Sequence, residues 1–598
     1  MSLPKQRGQT SFFDIPFLLN EDFFQRDEPY ALFRGRVLRA LRRIQSELDS
    51  LYCEDNGRPA VDPVIVAGAT LLQFLERMPD RQAASAVRLN LGWKYSLGLE
   101  LDNTGFHSTT LHNFRDRLMD NEKIALIFDA VLEELVAAGL VRKKSKQRLD
   151  STHVVGHIKS MSRLEIMRET LRLCLQVIET GSDYSDWEQW EQFKNRYLET
   201  SIDWLREEKE LLESKFIQAG HDAQAVIAWL DEQRDELRQH PQGELLRRVF
   251  KEQFDVVDAK DSSATELVNE ESSTSTDSPS EPGKSHPDAQ KHRPYSQGVG
   301  NSSSTEASSD SEPKGSDLSK RRKSPGCVVN PHDPDAQWSA KGPNGSKPWQ
   351  GYKVQIAETL SDDATPKTDR EPTNGFIVGM TTTPAIVSDM EGMTRTLEAE
   401  AERGIEPPEE LYVDTAYVSD DTLHEHHERG TELVGPARPA PQHFKGYAAD
   451  RFNVLNNKGY AICPAGKKSA HRCLINDRQS KDPYYRYEWG RHCDTCDRQK
   501  ECNSRKDGRR ELIVGLHHDL LQARRIEMRT EEFRKRMNQR AGVESTVSEC
   551  KRGYGLGRTR YRGLENTTLA NYMIGAAVNV HRWFARIMWE NKNATDNN

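Results

Sequence analysis

The sequence predicts a mixed α/β fold, preceded by an all-α region and interrupted by a helical and then disordered insertion. Three observations carry this expectation. Apolar residues recur at helical spacing through residues 30–145. Short β-branched runs alternate with capped helices between 346 and 440. Between these regions, residues 256–320 hold 17 serines and almost no large apolar side chain. Such a tract cannot bury enough surface to offset its ordering entropy. At 598 residues the chain is also too long for a single core.

In residues 1–145, "ALFRGRVLRALRRIQSELDSLY" sets apolar positions at helical spacing, with arginines on the other face. "DPVIVAGATLLQFLERM" opens with Asp62 as a cap and Pro63 in the first turn. "STTLHNFRDRL" starts with cap candidates Ser108 and Thr109 and carries Arg115 and Arg117. It reads either as the recognition helix of a helix-turn-helix unit or as a packing helix of an all-α domain. "KQRLDSTHVVGHI" is a strand candidate, placed at 146–156. Residues 157–255 return to long charged helices, and 256–345 is expected to be a disordered linker.

Within 346–440, "GYKVQIAET", "GFIVGMTTTPA", "EELYVDTAYVS" and "TELVGPA" read as strands. "SDMEGMTRTLEAEAERG" and "DDTLHEHHERG" read as helices ending in glycine. This order implies at least one parallel βαβ unit. A loop-rich stretch with several cysteines follows at 441–515, and then 516–598 with a basic helical region and a final helix.

The net charge of −9 argues mildly against a nucleic-acid partner, but its distribution is uneven. Residues 256–320 carry 12 acidic and 6 basic side chains, whereas 501–570 carry 16 basic and 10 acidic. No apolar run reaches membrane-spanning length, and the opening "MSLPKQRGQTSFFDIPF" lacks a signal-peptide pattern, so the expected location is cytoplasmic. Nine cysteines, several clustered, point there to free thiols or metal rather than a disulfide framework.

Two aspartates stand on strand candidates in apolar surroundings, Asp150 in "RLDSTHV" and Asp414 in "LYVDTAY". Either alone could cap a turn. In "RAGVESTVSECKRGYG", Arg540, Glu544 and Lys551 fall on one side of a helix, where i,i+4 ion pairing is the plainer reading. Taken together, three carboxylates can hold two divalent ions about 3.5–4 Å apart for phosphoryl transfer, and oxygen ligands favour Mg²⁺ or Mn²⁺. Cys493, Cys496 and Cys502 follow Cys463, a set able to close a structural Zn²⁺ site, with Cys473, His471 and His492 as rival ligands. "HEHHERG" is read as a solvated helix face. Trp338 and Trp349 are read as capping a sheet edge or stacking on bases. "GYGLGRTRYRG", with Arg558 and Arg560 just after Arg552, is a candidate DNA-backbone contact or a solvated loop.

With these motifs in place, the chain resembles the DDE transposases of bacterial insertion sequences. "NGRPAVDPVIVAGATLLQ", "LNLGWKYSLGL" and "HSTTLHNFRDRL" look like their helical N-terminal domain. "RLDSTHV" and "LYVDTAY" match their two Asp motifs, and Arg540, Glu544 and Lys551 fit the spacing of their C-terminal signature. Met537 departs from that signature, which usually has tyrosine there. The resemblance implies an RNase H-like catalytic domain, with Asp150, Asp414 and Glu544 as ligands of Mg²⁺ or Mn²⁺ and Arg540 and Lys551 as phosphate contacts. It further implies cleavage at terminal inverted repeats and strand transfer into target DNA, by a homodimer at the nucleoid. The readings to be separated from it are an RNase H-like nuclease without strand transfer and a non-catalytic DNA-binding protein.

Overall fold

The computed structural model describes residue 3 and residues 23–53, 59–158, 161–181, 184, 187–200, 209–257, 317–320, 326–341, 347–360, 371–372, 375–440, 446–476, 483–502 and 508–596. The chain divides into two compact units, one formed by 1–160 with 325–598 and the other by 161–324. No helix among the described residues is long and apolar enough to cross a membrane.

The first unit opens with short helical segments through 29–49 and then α1, Pro63–Leu75. The Asp62 side chain accepts from the Val64 N–H at 2.9 Å, so the cap expected from the Asp-Pro pair is formed. Every α1 residue from Pro63 to Gln73 is buried, which explains a helix without a polar face. Helices α2 (Asp80–Leu89) and α3 (Thr109–Asp120) pack on it, and α4 (Leu126–Ala137) leads towards the sheet.

That sheet is mixed and has six strands. β1 (Lys146–Val155) runs antiparallel to β3 (Lys347–Leu360) along its whole length. The far edge of β3 pairs antiparallel with β2 (Gln337–Lys341) and β4 (Ile377–Pro384). On its other side β1 runs parallel to β5 (Glu410–Tyr412), and β5 runs parallel to β6 (Glu432–Val434). Helix α5 (Asp389–Glu402) connects β4 to β5, and α6 (Asp420–Glu428) makes the β5–α6–β6 crossover. Ser388 caps α5, and Ser419 with Thr422 forms a capping box on α6.

The chain ends in α7 (Ala541–Tyr554) and the long α8 (Leu564–Asp596). Helix α8 packs on α1, α4 and β4, so the N-terminal helices and the sheet share one hydrophobic core. Asn579 fixes its register, donating to the Ile377 carbonyl and accepting from the Ile377 N–H, both at 2.8 Å.

Three expectations change here. The stretch 441–515 is not simply loops: β7 (Asn453–Leu455) pairs with β8 (Tyr460–Ile462), and β9 (His471–Ile475), β10 (Tyr484–Glu488) and β11 (Glu511–Gly515) form a three-stranded antiparallel sheet. Part of the expected disordered linker is ordered, since 326–341 is described and includes β2; the stretches 258–316, 321–325 and 342–346 lie outside the described residues. Finally, "HEHHERG" is not uniformly solvated. His426 is buried, which pushes its pKa down to about 4, and the His424 ring stacks on His517 at 3.7 Å.

The second unit is mainly helical. Arg163–Gly181, Lys209–Asp231 and Pro241–Gln253 pack together through Leu171, Leu175, Val226 and Leu246. Phe254–Val257 pairs antiparallel with Asp317–Lys320.

One buried acid has a consequence for stability. Glu400 on α5 lies wholly inside the first unit and accepts from the Gln147 amide at 2.9 Å, while its Oε1 has no hydrogen-bond partner among the described residues. Burial raises its pKa from 4.5 to about 7. An acid whose folded-state pKa is raised stabilises most when protonated, so this contribution is full below 4.5 and declines as pH rises through 7. His426 and His518, both pushed by burial from 6.5 to about 4, act in the opposite direction. They weaken the fold as pH falls from 6.5 towards 4. We expect Glu400→Gln to be more stable than the parent at pH 7.5 but not at pH 4.5, measured by urea melts at both pH values. Equal differences at the two pH values would refute the assignment.

Candidate active site

Asp150 lies mid-way along β1, opposite Ile356 of β3. On its other side the parallel register pairs Gln147 with Leu411 and Arg148 with Tyr412, where β5 ends two residues before Asp414. Asp414 sits just past the end of β5, exposed, where its carboxylate accepts from the Thr415 N–H and starts a short 3₁₀ turn. The cap expected of a lone strand-end aspartate is therefore present.

Glu544 lies in the first turn of α7, and Arg540 is the residue that begins this helix. The Arg540 guanidinium is only 16% exposed and contacts both acids: Nη2 donates to Asp150 Oδ2 at 3.0 Å and Nη1 to Glu544 Oε1 at 3.0 Å. Sequence reasoning placed this cation on a phosphate; in the structure it is the ion-pair partner of the two carboxylates. Asp150 also accepts from the Ser151 N–H at 2.8 Å, and Glu544 is 65% exposed. Among the described residues, no three His, Cys, Asp or Glu side chains stand together as a group able to hold a metal ion. Asp150 and Glu544 thus share one guanidinium, and Asp414 follows the end of the strand parallel to β1 without joining them.

A buried polar network that local patterns did not reveal holds α7 against the sheet. Glu358 of β3 is fully buried, and its Oε1 accepts from Arg148 Nε at 2.5 Å. Its Oε2 accepts from Thr546 Oγ1 at 2.6 Å and from Arg582 Nη1 at 2.9 Å. Arg582 of α8 also reaches Glu549 Oε2 at 2.6 Å. Burial pushes Glu549 up, but His581 and Arg582 outweigh it and leave its pKa below the usual carboxylate range. Arg148 further donates to the Gln539 carbonyl at 3.0 Å, pinning the turn that carries Arg540. Gly542 makes room for this contact: a Cβ there would stand 1.8 Å from Arg148 Nη1.

The remaining basic candidates fall into two groups. Arg115 is buried, with both terminal nitrogens on the Asp80 carboxylate at 3.1 and 2.6 Å and its guanidinium over the Tyr561 ring. It therefore cements α3 to α2 rather than facing DNA. Arg117 stacks on Tyr52 at 4.6 Å and donates to the Asn113 carbonyl, so the packing reading of α3 fits both arginines. Arg552, Arg558 and Arg560 are exposed, and Lys551 is half-buried on α7. Arg558 and Arg560 line a cleft of about 850 Å³ with Phe74, Arg77, Tyr554 and Ile574. Trp349 packs near His153 at 5.4 Å, and Trp338 lies on β2, which pairs with β3 at the outer side of the sheet.

Cys463, Cys493, Cys496 and Cys502 line one small cavity together with His492, whereas Cys473 and His471 lie on β9 outside it. Cys174 and Cys550 are buried thiols, the latter pushed up to about 12 by burial.

The structure thus brings Asp150 and Glu544 onto one guanidinium, with Asp414 at the end of the strand parallel to β1 and exposed basic residues after α7. The comparisons with known proteins add the family. Residues 20–117 match the family model described as Transposase domain (DUF772), and residues 462–584 match the one described as Transposase DDE domain. These two matches support an insertion-sequence DDE transposase. The DDE match takes in Arg540, Glu544, Lys551 and all four cavity cysteines, but begins after β1 and β5. No curated protein and no solved structure matches the chain.

Proposed function

We propose that this transposase cuts DNA at the ends of its element and joins the freed 3′ ends to target DNA, with Asp150, Asp414 and Glu544 holding its divalent ions. One observation supports this reading: Asp150 and Glu544 share a single positive group, Arg540, and Asp414 lies just past the end of β5, the strand that runs parallel to β1. The donor set is of the kind Mg²⁺ or Mn²⁺ prefers, because all three residues are carboxylates, and two of them already pair with one cation, the Arg540 guanidinium. Bound there, such ions supply activation of the attacking hydroxyl and stabilisation of charge on the leaving oxygen. The sheet order β4–β3–β1–β5–β6, antiparallel on one side of β1 and parallel on the other, supports an RNase H-like reading of this domain.

The chain's own cations then position the DNA. Arg540, relieved of its two carboxylates, is within reach of a phosphate beside them, and Lys551, Arg552, Arg558 and Arg560 continue the basic path along α7 and its following loop. Double-stranded terminal repeats and target DNA are the partners in this reading, with two copies of the chain, one per element end.

The test is incubation of the full chain with a plasmid carrying the element's ends, a separate target plasmid and Mg²⁺. Joined products with the element's 3′ ends in the target support the proposal. Cutting without joining would make the protein a nuclease, and end binding without cutting would make it a non-catalytic binder.

A further inference from the structure

The cysteine lobe poses a stability question. Among the described residues of 446–515, five short strands fold around an apolar cluster of seven buried side chains: Phe452, Val454, Ala461, Tyr487, Trp489, Leu512 and Val514. A lobe of this size, with strands of three to five residues, is below the range where an apolar core alone holds a fold firmly. Such lobes commonly carry a staple. All nine cysteines are free thiols, so that staple is not a disulfide here.

Four thiols nonetheless face one space: Cys463, Cys493, Cys496 and Cys502 line a cavity of about 20 Å³, room on the scale of a single ion, without standing together as a formed ligand group. They arrive on separate elements. Cys463 follows β8 and opens a tight turn closed by Gly466 N–H to the Cys463 carbonyl at 2.8 Å, with Gly466 at φ 74°, where a side chain is strained. Cys493 opens a second turn, closed by Cys496 N–H to the Cys493 carbonyl at 3.2 Å. Cys502 sits at the end of Gln499–Cys502. The Arg510 backbone N–H donates to Cys493 Sγ at 3.5 Å, an orientation suited to a sulfur bearing negative charge. Among the described residues no carboxylate lines the cavity, while Lys467, Arg498 and Arg510 do. Soft sulfur donors ringed by cations suit a thiolate-bound ion, whose four ligands would bring two net negative charges.

We propose that Cys463, Cys493, Cys496 and Cys502 bind one structural Zn²⁺ that staples this lobe. The four sulfurs do not yet form a closed ligand cluster, so the proposal requires them to draw inward onto the cavity. Burial keeps the Cys493 and Cys502 thiols above their ordinary pKa, the latter at about 11, and zinc coordination would reverse that. His492 shares the cavity but is exposed, and is left outside the ligand set. This site is independent of the carboxylates and rests on nothing in the strand-transfer reading.

The experiment is elemental analysis of the full chain, expressed with added zinc and purified without chelator. The parent, Cys473→Ser and His492→Ala should each retain about one zinc per chain, and Cys496→Ser and Cys502→Ser should fall at least about fivefold below that. Replacement by Co²⁺ should give sulfur-to-cobalt charge-transfer absorption in the parent and not in Cys502→Ser. Limited proteolysis should cut the lobe faster in Cys502→Ser, while 1–145 stays protected. Four titratable thiols without zinc, a Cys493–Cys496 disulfide, iron in place of zinc, or zinc lost in His492→Ala but kept in Cys496→Ser would each overturn the proposal. Because the readout is metal content, failure here leaves the strand-transfer assay unaffected, and the reverse holds equally.

Discussion

Asp150→Asn should abolish cleavage of element ends while leaving binding to those ends within a few-fold of the parent. Each ligand removed from a metal clamp withdraws several kcal/mol of transition-state stabilisation, so a loss of at least about 10³-fold is expected. Asp414→Asn and Glu544→Gln should behave alike, because the three act as one unit and their effects do not add. Stability should change little in Asp150→Asn, since Arg540 keeps Glu544 as a partner at 3.0 Å. Cleavage of a labelled end fragment in Mg²⁺, beside a mobility-shift assay in its absence, separates the two readouts. Normal cleavage by any of the three variants would remove that residue from the ligand set.

The second large effect concerns Glu358. Its replacement by alanine leaves Arg148 and Arg582, 13% and 4% exposed, without the carboxylate they share. Removing one partner of a buried ion pair costs up to about 3–5 kcal/mol, reduced here because Arg582 keeps Glu549 and Arg148 keeps the Gln539 carbonyl, against the roughly 5–15 kcal/mol that holds a domain together. Glu358→Ala should therefore unfold at clearly lower urea concentration than the parent, followed by circular dichroism. Thr546→Val, which removes one hydrogen bond to the same oxygen, should cost about 1–3 kcal/mol. A Glu358→Ala variant with parental stability would mean that water or another group satisfies both arginines. Glu358→Gln keeps the shape but not the charge, and should lower end cleavage more than end binding, because α7 carries Glu544 and leans on this network.

What could be read in the sequence follows from the range of each signal. The strand and helix order between 377 and 434 was legible because each element announces itself locally, by β-branched runs, caps such as Ser388 and Ser419, and closing glycines. The carboxylates stood out because an acid inside an apolar strand is anomalous on its own. The network around Glu358 was illegible for the converse reason: Arg148 and Arg582 lie 210 and 224 residues away from it in sequence. No local pattern links them. Arg115 misled because a basic residue on a capped helix looks the same whether it faces DNA or Asp80. The strands of the cysteine lobe were missed because runs of three to five residues carry too few alternations to register.

The dependence of Glu358 on Arg582 also bears on when the enzyme becomes competent during its own synthesis. β1 pairs with a strand that begins at Lys347, and the buried acid on that strand meets Arg148 of β1 first and its second arginine only when a residue within α8 has been made. A chain truncated between Glu544 and Arg582 carries all three acids but lacks that second counter-ion of Glu358. A pairing that spans 224 residues of chain thus ties the seating of α7 to the arrival of α8.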